Sequence, residues 1–454
     1  MLVKPTCFTE SMGLLPHSLL QRVALSNISV VETSKKLFYI HTYACKTSLL
    51  NISRVNAMAL SPSSEIRMQL GLCLLPILFI ALASTAADLQ NPDFESPPSN
   101  LPENSTAPFE LLTANNTIPG WTFDGTVQYV TAGPTIALPG NGHAIQLGQD
   151  GKINQTFIAN TNTMNYILTF TLALGDQNCS AIADILVSAP DSRGVFSLKQ
   201  HYGKETWESY GHYLGGWRDG EHINLVIQSQ TTEPNPNSTC WPIVDTLLLK
   251  GVATLDKGNG NLLPNGGFES GPDFLSNSTE GILLDPVSSP IQSAIQQWSV
   301  LGTVKYIDSK NYFVPEGNAA IEFISGISTG IQTASTLTEG SAYNLDFTLG
   351  DANDSCVGTF ILGAQAGSTV QNFTLQSKGT GSAKNFSMTF KADSSVTPIS
   401  FLSYSSSQTK DGVFCGPVVD NVILQASYGL KPEIPSKVTF CWLVFLVAIL
   451  QLTM

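Results

Sequence analysis

The chain contains its own duplicate, and that repeat limits the folds open to it. Leu-Gln-Asn-Pro-Asp-Phe-Glu (Leu89 to Glu95) matches Leu-Pro-Asn-Gly-Gly-Phe-Glu (Leu263 to Glu269) at an offset of 174. Trp121 followed by Gly-Thr-Val-Gln-Tyr (Gly125 to Tyr129) matches Trp298 followed by Gly-Thr-Val-Lys-Tyr (Gly302 to Tyr306). Leu138 to Ile145 match Val314 to Ile321. Tyr166, Phe170, Gly175, Asp176 and Cys179 find Tyr343, Phe347, Gly350, Asp351 and Cys356. Cys240-Trp-Pro-Ile-Val-Asp245 finds Cys415-Gly-Pro-Val-Val-Asp420. Solenoid units run to roughly 20–50 residues, so a period this long means a duplicated globular domain. We place the two independent modules at residues 88–254 and 261–426.

The flanking segments point to export. Met68 opens a run with Arg67 before it, apolar residues from Leu70 to Leu82 and small residues from Ser84 to Ala87. That pattern is a secretory signal peptide over 68–87. Residues 1–67 carry no repeat and read as an upstream extension that is not native to the protein, the alternative being a signal anchor with a short cytosolic tail. Residues 427–454 combine small residues at Ser427 and Gly429, a polar spacer and an apolar run from Val438 to Leu452 with no Lys or Arg after it. This matches a GPI-attachment signal with Ser427 as the attachment residue; a single C-terminal membrane helix is the alternative.

Four of the eight cysteines fall in the repeats, two per copy. Four cysteines allow three pairings, and the duplication favours Cys179–Cys240 and Cys356–Cys415. Sequons stand at Asn104, Asn115, Asn154, Asn178, Asn237, Asn277, Asn353, Asn372 and Asn385, and export would expose them to glycosylation. Residues 88–427 hold 31 acidic and 13 basic side chains. Such a charge argues against nucleic acid and anionic membrane surfaces, which need Lys/Arg stripes. Neutral glycans, cations and basic proteins remain open as partners.

Short alternating segments predict strands at 166–174, 181–187, 222–228, 343–349, 358–362 and 399–402, separated by Gly, Pro, Asn and Asp. Many short strands with turn signals predict an all-β fold, two tandem jelly-roll β-sandwiches.

Chemistry-bearing candidates are few. Gly326-Ile-Ser-Thr-Gly330 satisfies G-x-S-x-G. A nucleophile elbow needs a later His, and all six His lie at or before His222; the segment reads as a turn. His143, His201, His212 and His222 lack zinc-type spacing and read as structural or surface groups. Glu95 and Glu269 are expected to close the first strand of each copy, and Asp245 and Asp420 to begin the last. A carboxylate from each would suit Ca²⁺; equally, they would hold backbone amides. Asp176 and Asp351 read as turn-formers. Trp121 and Trp298 are core residues by preference, with sugar stacking as the alternative.

Phe-Glu at the start, Trp…Gly-Thr-Val-x-Tyr, the Gly-Asp turn before Cys and Cys-x-Pro-x-Val-Asp at the end resemble the plant cell-wall family called domain of unknown function 642. The resemblance covers about residues 88–426. Asn261 to Glu269 with Val419 to Val422 also resemble calcium-containing carbohydrate-binding modules of galactose-binding-like fold. These resemblances imply a non-catalytic extracellular protein of the cell wall and outer plasma membrane. It would bind wall polysaccharide and associate with pectin methylesterase; by its tail signal it would reach the membrane only through the GPI anchor, and no cofactor is required. By analogy alone, structural calcium would sit at Glu95, Asp245, Glu269 and Asp420. Asn91-Pro-Asp and Trp241 depart from the second copy, which makes the first module the less regular one. A protein-interaction role without glycan binding, and a hydrolase of unknown type, are the competing functions.

Overall fold

A computed structural model describes residues 89–427, apart from 102–106, 135, 140–141, 161–163, 176–178, 180–182, 199–201, 232–239, 254, 256–259 and 277. The first copy runs through β1 (Phe109–Leu111), β2 (Thr122–Asp124), β3 (Val127–Thr131), β4 (His143–Leu147), β5 (Lys152–Ile158), β6 (Met164–Leu174), β7 (Ala183–Ala189), β8 (Ser192–Leu198), β9 (Trp207–Trp217), β10 (His222–Ser229) and β11 (Pro242–Ala253). The second runs through β12 (Ile282–Leu284), β13 (Ser299–Asp308), β14 (Ala319–Thr336), β15 (Ala342–Gly350), β16 (Val357–Ala366), β17 (Thr369–Lys378), β18 (Ala383–Lys391), β19 (Val396–Ser403), β20 (Ser407–Gln408), β21 (Phe414–Cys415) and β22 (Val418–Ala426).

Each copy is a jelly-roll β-sandwich. In the first, a layer ordered β1-β3-β4-β11-β6-β9 faces a layer ordered β2-β5-β10-β7-β8. Alternation explains the inner face: Ile153 and Phe157 of β5 and Ile223, Leu225 and Ile227 of β10 are buried, while Thr156, His222 and Asn224 look outward. In the second copy β13 and β14 serve both layers. The start of β14 pairs with β22 and its end with β19. Strands that switch layers do so at bulges, and here the corner is Gly302 at φ 69°, where the β13–β14 register shifts. Gly125 at φ 72° makes the same corner between β2 and β3. The repeated Gly-Thr-Val-x-Tyr therefore encodes a corner, then a core residue (Val127 and Val304 are fully buried), then a buried Tyr.

Two readings of the sequence need correction. Gly326 to Gly330 is not a turn: it lies inside β14, where Ser328 adopts φ 73° as a bulge, and no helix follows to make an elbow. The turn belongs to the first copy, where Gly148 to Gly151 separates β4 from β5. Glu95 and Glu269 do not close strands either; both end tight loops.

The copies are also not independent. Strand β12 pairs antiparallel with β13 of its own sandwich and parallel with β9 of the other, Ile282 opposite Ser209 and Leu284 opposite Gly211. One sheet thus runs through both sandwiches. The cores interpenetrate at this seam, Leu283 and Ile324 packing with the first core, Ile167 and Val252 with the second. Lys250 bridges to Asp273 at 2.8 Å and the Thr169 hydroxyl donates to the Asp273 carbonyl at 2.8 Å.

Both bridges are present, Cys179–Cys240 and Cys356–Cys415, at sequence separations of 61 and 59. Closing a loop of that length restricts the unfolded chain by roughly 4 kcal/mol. Cys356→Ser should therefore lower stability by a few kcal/mol in denaturant titration. The shared sheet leads to a second expectation: calorimetry should show one cooperative transition for residues 88–427. Two resolved transitions would contradict the fused architecture.

Candidate functional site

The matched acids belong to a loop built twice from the same parts. In the first copy, Asn91 and Phe94 take positive φ (47° and 54°); in the second, Asn265 and Phe268 do (52° and 53°). Asn91 clamps Ser96 through both amide and carbonyl, and Asn265 does the same to Ser270. Phe94 and Phe268 plug the core completely, each 5.5 Å from its Trp. The Trp121 indole donates to the Asn91 carbonyl and Trp298 to that of Pro264. The Tyr129 and Tyr306 hydroxyls donate to the carbonyls of Phe94 and Phe268. Trp121 is 4% exposed and Trp298 0%, so neither offers a ring face to a sugar. Their place is the core, and the ligand role falls.

Each loop is then fastened to a bulge in the last strand. Leu247 N–H donates to the Pro92 carbonyl and Val422 N–H to that of Gly266, both at 2.8 Å. Thr246 and Asn421 take the left-handed bulge positions, and Asp245 and Asp420 accept their amides. Asp420 also accepts from Glu316 N–H. Glu95 accepts from the His143 amide and ring; Glu269 accepts from the amides of Asn318 and Ala319. All four carboxylates thus engage N–H donors. Burial pushes Asp245 up to about 8 and Asp420 up to about 7, with the nearby Glu95 and Glu269 charges adding to it.

The remaining candidates scatter. His143 lies on Tyr129, His212 bonds Asp285 at 3.0 Å across the seam, and His222 is exposed. His201, Asp176, Asn104, Asn178, Asn237 and Asn277 lie outside the described residues. Asn115, Asn353, Asn372 and Asn385 are exposed, while Asn154 is half-buried on β5. Asp351 accepts from Asn353 N–H, Gly381 N–H and the Ser382 hydroxyl, a turn-former. Ser427 closes against β15, its N–H donating to Ala342 and its hydroxyl to Asn344. The signal peptide and apolar tail lie outside the described residues, within which no helix is long and apolar enough to cross a membrane.

Sequence reasoning missed the pocket at the seam. A cavity of ~240 Å³ is lined by Tyr202 and Lys204 of the first copy and, from the second, by Glu280, Lys305, Tyr312, Glu322, Asp354 and Phe414 among others. Lys305 and Glu322 stand opposite each other on β13 and β14, so the pleat delivers both to this place. Lys305 is 3% exposed, and its ammonium donates to the Tyr202 carbonyl at 2.8 Å and lies 4.0 Å from Glu280. Glu280 in turn accepts from Lys204 N–H at 2.9 Å. Glu322 accepts from Gly416 N–H at 3.1 Å and lies within hydrogen-bonding reach of Asp354. Burial, then the Asp354 charge, pushes Glu322 up to about 8. Behind the Tyr202 loop, burial pushes Glu208 up to about 7. A signal was available: inside matched motifs, the second copy puts Lys305 where the first has Gln128, and Glu322 where it has Gln146.

Comparison with known proteins follows the duplication. The profile of a family described as "Protein of unknown function (DUF642)" matches residues 87–250 and again 261–425. The Arabidopsis thaliana "Protein DUF642 L-GALACTONO-1,4-LACTONE-RESPONSIVE GENE 2" is 32% identical over 366 residues, 77% of this chain and 96% of its own. "Protein TEEBE" from the same plant is 30% identical over 322 residues, 68% of this chain and 84% of its own. Among solved structures, the CBM22-1-CBM22-2 tandem of Paenibacillus barcinonensis Xyn10C aligns at TM-score 0.24 and 13% identity, over 76% of this chain and 99% of that one. TmCBM61 in complex with beta-1,4-galactotriose aligns at 0.25 and 14%, over 37% and 100%. At TM-scores this low neither likeness bears on ligand or mechanism.

The raised carboxyl groups set a pH dependence. Glu322 and Glu208 hold protons in the fold that they release near 4.5 when unfolded, and Asp245 and Asp420 act in the same sense. Between about pH 4.5 and 8 the native state binds more protons, so stability falls as pH rises through that window. Glu322→Gln keeps the carbonyl that accepts from Gly416 and stays neutral at every pH. The melting-temperature gap between pH 5 and pH 8 should narrow by about 2 °C or more in this variant; an unchanged gap would refute the buried, protonated Glu322.

Proposed function

Since the chain belongs to the DUF642 family, we propose that it is an exported, non-catalytic glycan-binding protein of the plant cell wall whose seam pocket holds one residue of a neutral polysaccharide. The observation that carries this is the pocket's chemistry. Carboxylates, amides, hydroxyls and the buried Lys305 ammonium converge on ~240 Å³, with Tyr202, Tyr312 and Phe414 in the wall. Binding sites pair apolar surface with a few placed polar groups, and a pyranose offers both faces of that description. Lys305 is already engaged by the Tyr202 carbonyl and by Glu280, which disfavours uronates. Binding is favoured over hydrolysis because Glu322 and Asp354 sit side by side. A glycosidase opposes its carboxyls across the bond, about 5–10 Å apart.

GPI attachment at Ser427 and association with pectin methylesterase belong to the same proposal, the first testable by release with a phosphatidylinositol-specific phospholipase. Structural calcium at Glu95 with Asp245, and at Glu269 with Asp420, is a separate proposal. Identical melting curves with calcium and with chelator would leave these acids to the N–H donors that already hold them.

The decisive experiment is a glycan array with the full exported chain, repeated with Phe414→Ala and Glu280→Gln. A neutral oligosaccharide should bind, and each variant should weaken it by about tenfold, about 1.4 kcal/mol. Binding that both variants leave intact would move the site elsewhere. An empty array beside capture of a pectin methylesterase would favour the protein-interaction role.

A further inference from the structure

The middle of the outer face of the β19-β16-β17 layer is uncharged in a chain with a large acidic excess, its first charge being Lys378 at the end of β17, opposite Val357. Alternation turns Phe360, Leu362 and Ala364 of β16 into the core and Thr359, Ile361 and Gln365 outward. Beside them β17 presents Asn372, Thr374 and Gln376, and β19 presents Pro398 and Leu402. Among these outward positions there is no Asp, Glu, Lys or Arg.

At the centre of the face lies an aromatic ring. Tyr404 follows β19, donates its N–H to the Ile361 carbonyl at 2.9 Å and lays its ring over Gly363. A Cβ at that glycine would come within 2.5 Å of ring carbon Cε2. Aromatic rings cover strand glycines for their own packing, but here Tyr404 as a whole stays 38% exposed. The residue directly opposite Gly363 on β17 is Asn372, and opposite partners are the closest cross-strand neighbours. Asn372-Phe373-Thr374 is a sequon whose middle residue is anchored in the core, Phe373 being 6% exposed. Asn372 and Thr374 are both exposed.

We propose that Asn372 is N-glycosylated and that its first N-acetylglucosamine lies on the free face of Tyr404. This rests on the export reading above. In the transfer, the Asn372 Nδ2 bonds to the sugar C1 of a lipid-diphosphate oligosaccharide. The C1–O bond to phosphate breaks, the amide proton departs and the lipid diphosphate is released. The apolar C–H face of the pyranose then meets the ring, and the covalent tether keeps its local concentration high. The occupant of this uncharged face is the chain's own glycan.

The test uses the full chain secreted from a eukaryotic host. Glycopeptide mass spectrometry should find Asn372 occupied. Thr374→Ala, which removes the sequon, and Tyr404→Leu, which still covers Gly363, should each lower the melting temperature by about 2 °C. The double variant should fall no further than either alone, because both remove one contact. Ser387→Ala, which removes the sequon at Asn385, should add independently to Tyr404→Leu. Additive loss for Thr374→Ala with Tyr404→Leu overturns the seat, as does an unmodified Asn372 in a chain glycosylated elsewhere. A chain with no sequon occupied overturns the export reading and the proposal with it.

Discussion

Three residues, Ile282 to Leu284, hold the molecule to one shape. As β12 they satisfy backbone hydrogen bonds on both edges, one edge in each sandwich. A strand in that position cannot shift by one residue without turning its side chains to the wrong face, and Ile282, Leu283 and Leu284 are all buried. The seam therefore has a fixed register. Lys305, paired opposite Leu283, gains its buried site and its bond to Tyr202 from that register. His212 and Asp285 meet for the same reason.

Much of the architecture was legible because the repeat exposes which residues cannot vary independently. The Trp, Tyr, Phe and Asn that recur are the parts of one device, a left-handed loop plugged by Phe and held by indole and hydroxyl donors. Alternation placed the long strands, and duplication paired the cysteines. Placement of the acids failed where local pattern was mistaken for strand. Phe-Glu looks extended, yet Phe94 and Phe268 sit at positive φ, a conformation that burial of the ring compensates and that no propensity announces. The Gly326 to Gly330 segment failed in the opposite direction, as glycines that usually break a strand here bend one.

The pocket was illegible for a different reason: it is assembled from both copies, so no motif contains it. The trace it leaves is asymmetry. Where the first copy has neutral Gln128 and Gln146, the second buries Lys305 and Glu322. Ionisable groups are costly to bury unless paired, so two of them at facing positions mark the place where the second copy departs furthest from its twin. Matching residues in such a protein report architecture, and mismatched buried ones mark where the two copies differ.

The last strand has a mechanical consequence. β22 lies inside its sheet, hydrogen-bonded to β14 on one edge and along most of its length to β15 on the other. Its end at Ala426 and Ser427 is where tension enters if the chain is held from beyond that point. A pull along the strand loads these bonds together instead of opening them one at a time, and the bridge from Cys415 to Cys356 stops extension just upstream. The second sandwich is thus braced against a pull on its last strand.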